Sequence, residues 1–71
     1  MNNVRLTKRE YDILIRLAMS NIDIADELGL TESYVNQVAY RISLKLGTHS
    51  RTGAVIQAIK HNLVTPWNFK V

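Results

Sequence analysis

The sequence has no cysteine, only one proline and three glycines, and no long run of apolar residues. Without cysteine the chain can form neither a disulfide nor a thiolate zinc site, and His49 and His61 are too far apart in sequence to indicate a shared metal site. We interpret both as surface histidines and predict neither a metal nor a cofactor. No apolar run reaches membrane-spanning length, and the N-terminus lacks the apolar core of a signal peptide, which predicts a cytoplasmic protein without a membrane partner.

Acidic residues are missing as well, but only from the second half of the chain. The last carboxylate is Glu32, and residues 33–71 hold five cations and no acid, whereas residues 1–32 hold all six acids and four cations. The net charge is +3. Such a split makes one region of the molecule positive, which is typical of a nucleic-acid binder, although surplus lysines that only aid solubility are the alternative interpretation.

Catalytic signatures are absent too. The sequence contains no nucleophile elbow, no phosphate-cradling glycine loop and no H-E-x-x-H pair. A chain of 71 residues, 46% of them hydrophobic, fits one domain over residues 1–71 with a small packed core. Such a core leaves little room for a pocket that buries a substrate. We therefore predict no catalytic residue and no enzyme.

Capping and glycine signals divide the chain into four helices and a short C-terminal tail. The helices are predicted at about residues 8–18, 21–28, 32–46 and 51–61. Thr7 and Glu10 have the spacing of a capping box, Thr31 is an N-cap type, and Gly29 and Gly47 are suited to helix ends. No strand pattern is present. The sequence therefore predicts an all-α fold, a small four-helix bundle of the helix-turn-helix kind.

The third helix has two chemically different faces. Its apolar stripe consists of Val35, Val38, Ala39, Ile42 and Leu46. The opposite face carries Ser33, Asn36, Gln37 and Tyr40, which offer amides and hydroxyls but no acid. Such groups suit the edges of DNA bases better than they suit a metal or a catalytic step. We predict double-stranded DNA as the partner, with a merely solvated face as the alternative.

Three segments of the sequence resemble the LuxR/FixJ/GerE-type DNA-binding domain, a four-helix module of bacterial transcription regulators. They are LTKRE at residues 6–10, IADELGLTESYV at 24–35 and RISLKLGTHSR at 41–51. The most specific part is the I-x-x-K-L-G run of the third segment with the S-R pair that follows it. The resemblance implies that the third helix enters the major groove and that the fourth supplies a dimer contact. It also leads us to expect a stand-alone output domain of a bacterial or phage regulator, without a receiver.

These patterns predict three sets of contact residues. Base contacts fall on Asn36, Gln37 and Tyr40, both by helical spacing and by position in the resemblance. Predicted phosphate contacts are Thr31, Ser33, Arg41, Lys45 and Arg51. A homodimer interface is predicted at Ile56, Ile59 and Leu63, an i, i+3, i+7 apolar line. The alternative for this line is that Trp67 and Phe69 fold back and cover it within one chain.

A protein-binding role is the competing hypothesis for function. Asp23, Asp26 and Glu27 make the second helix acidic, and carboxylates repel DNA phosphates. A helix-turn-helix of this kind, similar to region four of sigma factors, would bind RNA polymerase or another regulator. Selection of bound duplexes from a random pool separates the two hypotheses, because only sequence-specific DNA binding enriches a motif.

Overall fold

The computed structural model describes residues 4–70, which fold into four α-helices without a strand. The elements are α1 (Lys8–Leu14), α2 (Asn21–Leu28), α3 (Glu32–Lys45), α4 (Arg51–Lys60) and a 3₁₀ turn at Pro66–Asn68. The predicted all-α helix-turn-helix bundle is confirmed, and the predicted bounds of α2, α3 and α4 differ from these by at most one residue. Within residues 4–70, every helix is too short or too polar to span a membrane.

Each α-helix begins at a hydroxyl side chain that caps the free amides of its first turn. Thr7, Ser20, Thr31 and Ser50 each accept a hydrogen bond from the backbone N–H three residues later. In α1 the capping box is complete, because the Glu10 carboxylate accepts in return from the Thr7 N–H at 2.9 Å. The positions of these hydroxyls therefore set where the helices start.

The first helix is shorter than predicted, because it ends at Leu14 and not at Ala18. The Arg16 guanidinium donates to the carbonyl oxygen of Asp12 at 2.7 Å, which is the acceptor that the Arg16 backbone N–H would use in a continuing α-helix. The backbone N–H groups of Arg16 and Leu17 bond instead in the tighter i→i−3 pattern. The chain thus leaves α1 through a tight turn that leads to α2.

Helix α3 lies at the centre of the bundle and packs against the other three helices. The fully buried apolar side chains of the described residues are Ile13, Leu14, Ile24, Val35, Val38, Ile42, Ala54 and Ala58. Three of them come from α3, so the predicted apolar stripe is confirmed at its centre. The two alanines are the fully buried side chains of α4, and their small size lets this helix lie close to α3.

A buried carboxylate joins the start of α1 to the second half of α3. Glu10 is 1% exposed, and its Oε1 accepts from Lys45 Nζ at 2.7 Å as well as from the Thr7 N–H. Arg41 Nη1 lies 3.8 Å from the other oxygen, and Lys45 also donates to the Arg5 carbonyl at 3.0 Å. We call these residues, with Thr7, the Glu10 cluster.

The environment of Glu10 favours its ionised form. Burial raises the pKa of Glu10, but the hydrogen bonds from Lys45 and Thr7 and the charges of Lys45 and Arg41 outweigh burial and hold the pKa below its ordinary value. Because the pKa of Glu10 is lowered in the folded state, its carboxylate stabilises the fold at pH values above the ordinary titration range of a carboxyl group. This stabilisation is lost as the pH falls through the lowered value.

Substitution Glu10→Gln is expected to lower the free energy of unfolding by about 1–3 kcal/mol at neutral pH, because it removes a charged acceptor from two donors. Urea denaturation measures the loss. Since acid protonates Glu10 in the natural chain, the difference between the two proteins should shrink as the pH falls below the ordinary carboxyl range.

Asp12→Asn is the matched control, because the Asp12 carboxylate pairs with the exposed ammonium of Lys8, at 3.5 Å. This pair is expected to contribute less than about 1 kcal/mol at any pH. An equal loss in the Asp12 and Glu10 variants would show that the buried carboxylate has no special role.

Candidate nucleic-acid interface

The predicted base-contacting residues all lie on the solvent side of α3. Asn36, Gln37 and Tyr40 are exposed there, together with Ser33 and Leu44, and we call these five residues the outer face of α3. Tyr40 is 66% exposed and Leu44 is 51% exposed, so the face is partly apolar. Sequence reasoning missed Leu44, although its position four residues after Tyr40 places it on the same side of the helix.

Two adjoining open concavities border this face on its side toward the starts of α2 and α4. The first is lined by Asn21, Glu32, Ser33 and Asn36. The second, which we call the α4-side concavity, is lined by Asn36, Ala39, Tyr40, Ser43, His49 and Arg51. His49 is exposed, as predicted for a surface histidine, but its place beside two predicted base contacts could not be seen from sequence spacing.

Arg51, a predicted phosphate contact, is half-buried beside the α4-side concavity, and its guanidinium makes three hydrogen bonds inside the chain. Its Nε donates to the Leu17 carbonyl at 2.7 Å, Nη1 to Asn21 Oδ1 at 2.6 Å and Nη2 to the Met19 carbonyl at 2.7 Å. Burial also lowers the pKa of Arg51. The guanidinium thus ties the first residue of α4 to the turn between α1 and α2, and these acceptors are distant in sequence.

The predicted phosphate contacts Arg41 and Lys45 lie on the opposite flank of α3, in the Glu10 cluster. Lys45 Nζ is held by the Glu10 carboxylate and the Arg5 carbonyl. The Arg41 side chain is 52% exposed and approaches Glu10 only to 3.8 Å, so it keeps more of its donors for a ligand. Of these two cations, Arg41 is therefore the better placed to meet a phosphate.

The two predicted hydroxyl contacts lie at the N-terminal end of α3. Thr31 and Ser33 are both exposed. The Thr31 Oγ1 accepts from the Tyr34 N–H at 3.1 Å, and a hydroxyl that accepts one bond still has its own proton to donate. Both residues can therefore donate to a phosphate oxygen without disturbing the cap.

The predicted dimer residues do not form one continuous exposed line. Ile56 is 55% exposed, whereas Ile59 and Leu63 are half-buried and pack against the core. Helix α4 ends at Lys60, and Asn62 has a positive φ of 61°, so Leu63 no longer follows the helical spacing. Leu63 therefore leaves the expected i, i+3, i+7 line, and the dimer interface stays a prediction.

The C-terminal tail is not the lid over α4 that the alternative required. Trp67 is 89% exposed and covers little of any surface. Phe69 does pack against the core, and the next backbone N–H, that of Lys70, donates to the Ile15 carbonyl at 2.7 Å. The tail thus runs beside the end of α1, and Ile56 stays exposed.

The second helix keeps its acidic surface. Asp23, Asp26 and Glu27 are exposed, and Glu27 lies 3.4 Å from Arg16 Nε. Ile22 is 57% exposed on the same helix. The described residues contain no group of three or more His, Cys, Asp or Glu side chains arranged to hold a metal ion.

Arg51→Lys is expected to lower the free energy of unfolding by about 2 kcal/mol, because an ammonium cannot reach three divergent acceptors and leaves buried carbonyls without donors. Thermal or urea denaturation measures this loss. The control is Arg9→Lys in the exposed part of α1, for which we expect a change within about 0.5 kcal/mol. Equal stability of the Arg51 variant and the natural chain would contradict the internal role of Arg51.

Comparison with known proteins identifies relatives. The sequence profile of the family described as bacterial regulatory proteins, luxR family, matches residues 4–58. The chain is 40% identical over 60 residues to an uncharacterised transcriptional regulatory protein, YxjL, of Bacillus subtilis (strain 168). The aligned part is 82% of this chain but 28% of that protein, so the chain spans little more than a quarter of its relative's length. No solved structure matches the chain significantly.

Proposed function

The chain belongs to the luxR family of bacterial regulatory proteins, and from this membership we propose that it regulates transcription by binding double-stranded DNA through α3. The observation that carries the proposal is the outer face of α3. It presents exposed amides, hydroxyls and one apolar side chain, and the exposed carboxylate of Glu32 lies at its edge, in the concavity with Ser33 and Asn36.

The chemistry of this face fits the floor of the major groove. The Asn36 and Gln37 amides each combine a donor with an acceptor, which is the arrangement that pairs with adenine in the major groove. Tyr40 lies one helical turn after Asn36, about 6 Å along the axis, so the two side chains reach different base pairs. We assign the base contacts to Asn36, Gln37 and Tyr40.

Phosphate contacts would then fix the position of the helix in the groove. The exposed hydroxyls of Thr31 and Ser33 would donate to a phosphate at the N-terminal end of α3. Arg41 would bind a phosphate on the flank of α3 that carries the Glu10 cluster. Lys45 adds positive charge there, although its ammonium is already bound to Glu10. Arg51 ranks behind Arg41 in this set, because three of its five N–H donors already bond inside the chain.

We further propose that the protein acts on DNA as a symmetric dimer through the outer side of α4. Ile56 is a large apolar residue left 55% exposed on a small domain. In a two-fold dimer Ile56 would be buried in both copies, so one exposed position contributes twice to the interface. Such a dimer would read an inverted repeat with half-site centres about 10 base pairs apart.

A protein partner is the second candidate function, favoured by the surface of α2. Ile22 is 57% exposed on a helix whose other exposed residues include Asp23, Asp26 and Glu27. An apolar side chain among carboxylates suits a basic protein surface, such as one on RNA polymerase or on another regulator, and repels DNA. The two roles are compatible, since α2 and the outer face of α3 are different surfaces.

Selection of duplexes from a random pool is expected to enrich one motif. Asn36→Ala and Gln37→Ala should each weaken binding to the enriched duplex by about 1–3 kcal/mol and change binding to unrelated duplexes little, because each removes a contact to a base edge. Fluorescence anisotropy measures both affinities. Arg9→Ala, a change at an exposed position of α1, is the control for folding and general charge.

Equal losses on enriched and unrelated duplexes would show that these amides do not specify sequence. If no duplex is enriched, DNA recognition is rejected and the protein-binding role of α2 becomes the proposal to pursue.

Ile56→Glu is expected to abolish tight binding to a duplex with two half-sites while weak binding to one half-site remains, because the new charges meet across the two-fold axis. Sedimentation on and off DNA reports the oligomeric state. Ile22→Glu is the matched control, since Ile22 is equally exposed but lies on α2. The same loss in both variants, or a natural chain that is monomeric on the two-half-site duplex, would contradict a dimer through α4.

A further inference from the structure

The two flanks of α3 differ in the cations that they offer to DNA. A helix in the major groove lies between two phosphate backbones, and about half or more of protein–DNA hydrogen bonds go to phosphate and sugar. On the flank of the Glu10 cluster, Arg41 and Lys45 carry permanent charge. On the opposite flank, the permanent cation of the α4-side concavity is Arg51, whose three nitrogens already donate inside the chain.

His49 is the remaining basic side chain that lines the α4-side concavity. It is exposed in the turn between α3 and α4, and it shares the concavity with Asn36 and Tyr40, two of the residues that we assign to base contacts. A side chain at the edge of a base-reading face is at the place where a phosphate backbone passes. A protonated imidazole offers two N–H donors and a positive charge.

We propose that His49, in its protonated form, contacts a DNA phosphate on the α4 side of the reading helix, so that the affinity for DNA depends on pH. This inference rests on the proposed function, because it needs α3 in the major groove. Imidazole is the side chain whose ordinary titration falls between about pH 5 and 8, so such a contact would be gained and lost near neutral pH.

Charged and titratable side chains line the two concavities near His49. The charged or titratable side chains that line the α4-side concavity with it are Tyr40 from α3 and Arg51 from α4, and Glu32 lines the adjoining concavity with Asn36. A phosphate bound in the α4-side concavity would be paired with the protonated imidazole, so phosphate binding and protonation of the imidazole strengthen each other.

The salt dependence of DNA binding reports this contact directly. Each phosphate neutralised by a cation adds about 0.9 to the slope of log affinity against log salt concentration. Arg41 contributes to that slope at every accessible pH, because an arginine stays protonated. His49 contributes only when it is protonated, so the slope itself becomes a function of pH.

The test measures the affinity of the full chain for the duplex enriched from the random pool, at several salt concentrations, at about pH 6 and about pH 8. For the natural chain we expect binding about two- to fivefold tighter at the lower pH. We also expect a salt slope steeper by about 0.9 at that pH. His49→Gln should bind with the shallower slope at both pH values, and His49→Lys with the steeper slope at both.

Two variants serve as controls. His61→Gln removes the other histidine, which is exposed at the end of α4, and should keep the full pH dependence. Arg41→Gln should lower the slope equally at both pH values, because it removes a permanent charge from the other flank.

The outcomes separate this inference from the proposed function. If the natural chain binds the enriched duplex with a slope that does not change with pH, or if His49→Gln keeps the pH dependence, the role of His49 is rejected and DNA recognition stands. If His61→Gln loses the pH dependence, the titrating contact belongs to the other histidine. Failure to enrich any duplex overturns both proposals.

Discussion

The arrangement of the bundle depends on one buried carboxylate. Glu10 closes the capping box that starts α1 and also receives the ammonium of Lys45 from the far end of α3. A charge that is 1% exposed is tolerated because its hydrogen bonds from Thr7 and Lys45 are 2.9 and 2.7 Å long and two of its neighbours are cations. The interaction thus joins the start of α1 to the far end of α3, with Arg41 beside it.

The basic residues of this chain divide into two groups that sequence alone does not distinguish. Arg51 and Lys45 hold parts of the fold together, through backbone carbonyls and through Glu10. Arg41 is more exposed than Lys45, with 52% against 35% of the side chain exposed, and is the better placed of the two to contact a partner. The absence of acids after Glu32 therefore overstates how much positive charge the second half of the chain presents to a partner.

Much of the fold could be predicted because its signals are local. Caps and glycines act within one turn, so Thr7, Thr31, Gly29 and Gly47 marked their helix ends from sequence, and the 3.6-residue period separated the two faces of α3. The predicted end of α1 was wrong because it depends on whether the guanidinium or the backbone N–H of Arg16 bonds to the Asp12 carbonyl. That competition is decided by side-chain geometry and is invisible in a periodic pattern.

The candidate site was predicted less completely than the fold, for the same physical reason. The exposure of Asn36, Gln37 and Tyr40 follows from helical spacing, but the acceptors of Arg51 lie 30 or more residues away in the chain. The prediction placed Leu63 on the helical spacing of α4, but Asn62, which has left-handed backbone geometry, changes the direction of the chain just ahead of Leu63. The position of His49 beside α3 likewise depends on how α4 docks.

The turn after α1 also determines how the molecule comes apart. Its carbonyls accept from the first residue of α4 and from the backbone of Lys70, so the turn holds α1, α2, α4 and the tail in one network. If any one of these segments detaches, carbonyl oxygens of the turn lose their donors or become exposed to solvent. A chain this small would otherwise fray from its ends. We therefore expect the first and last thirds of the chain, which these long-range bonds join, to unfold together.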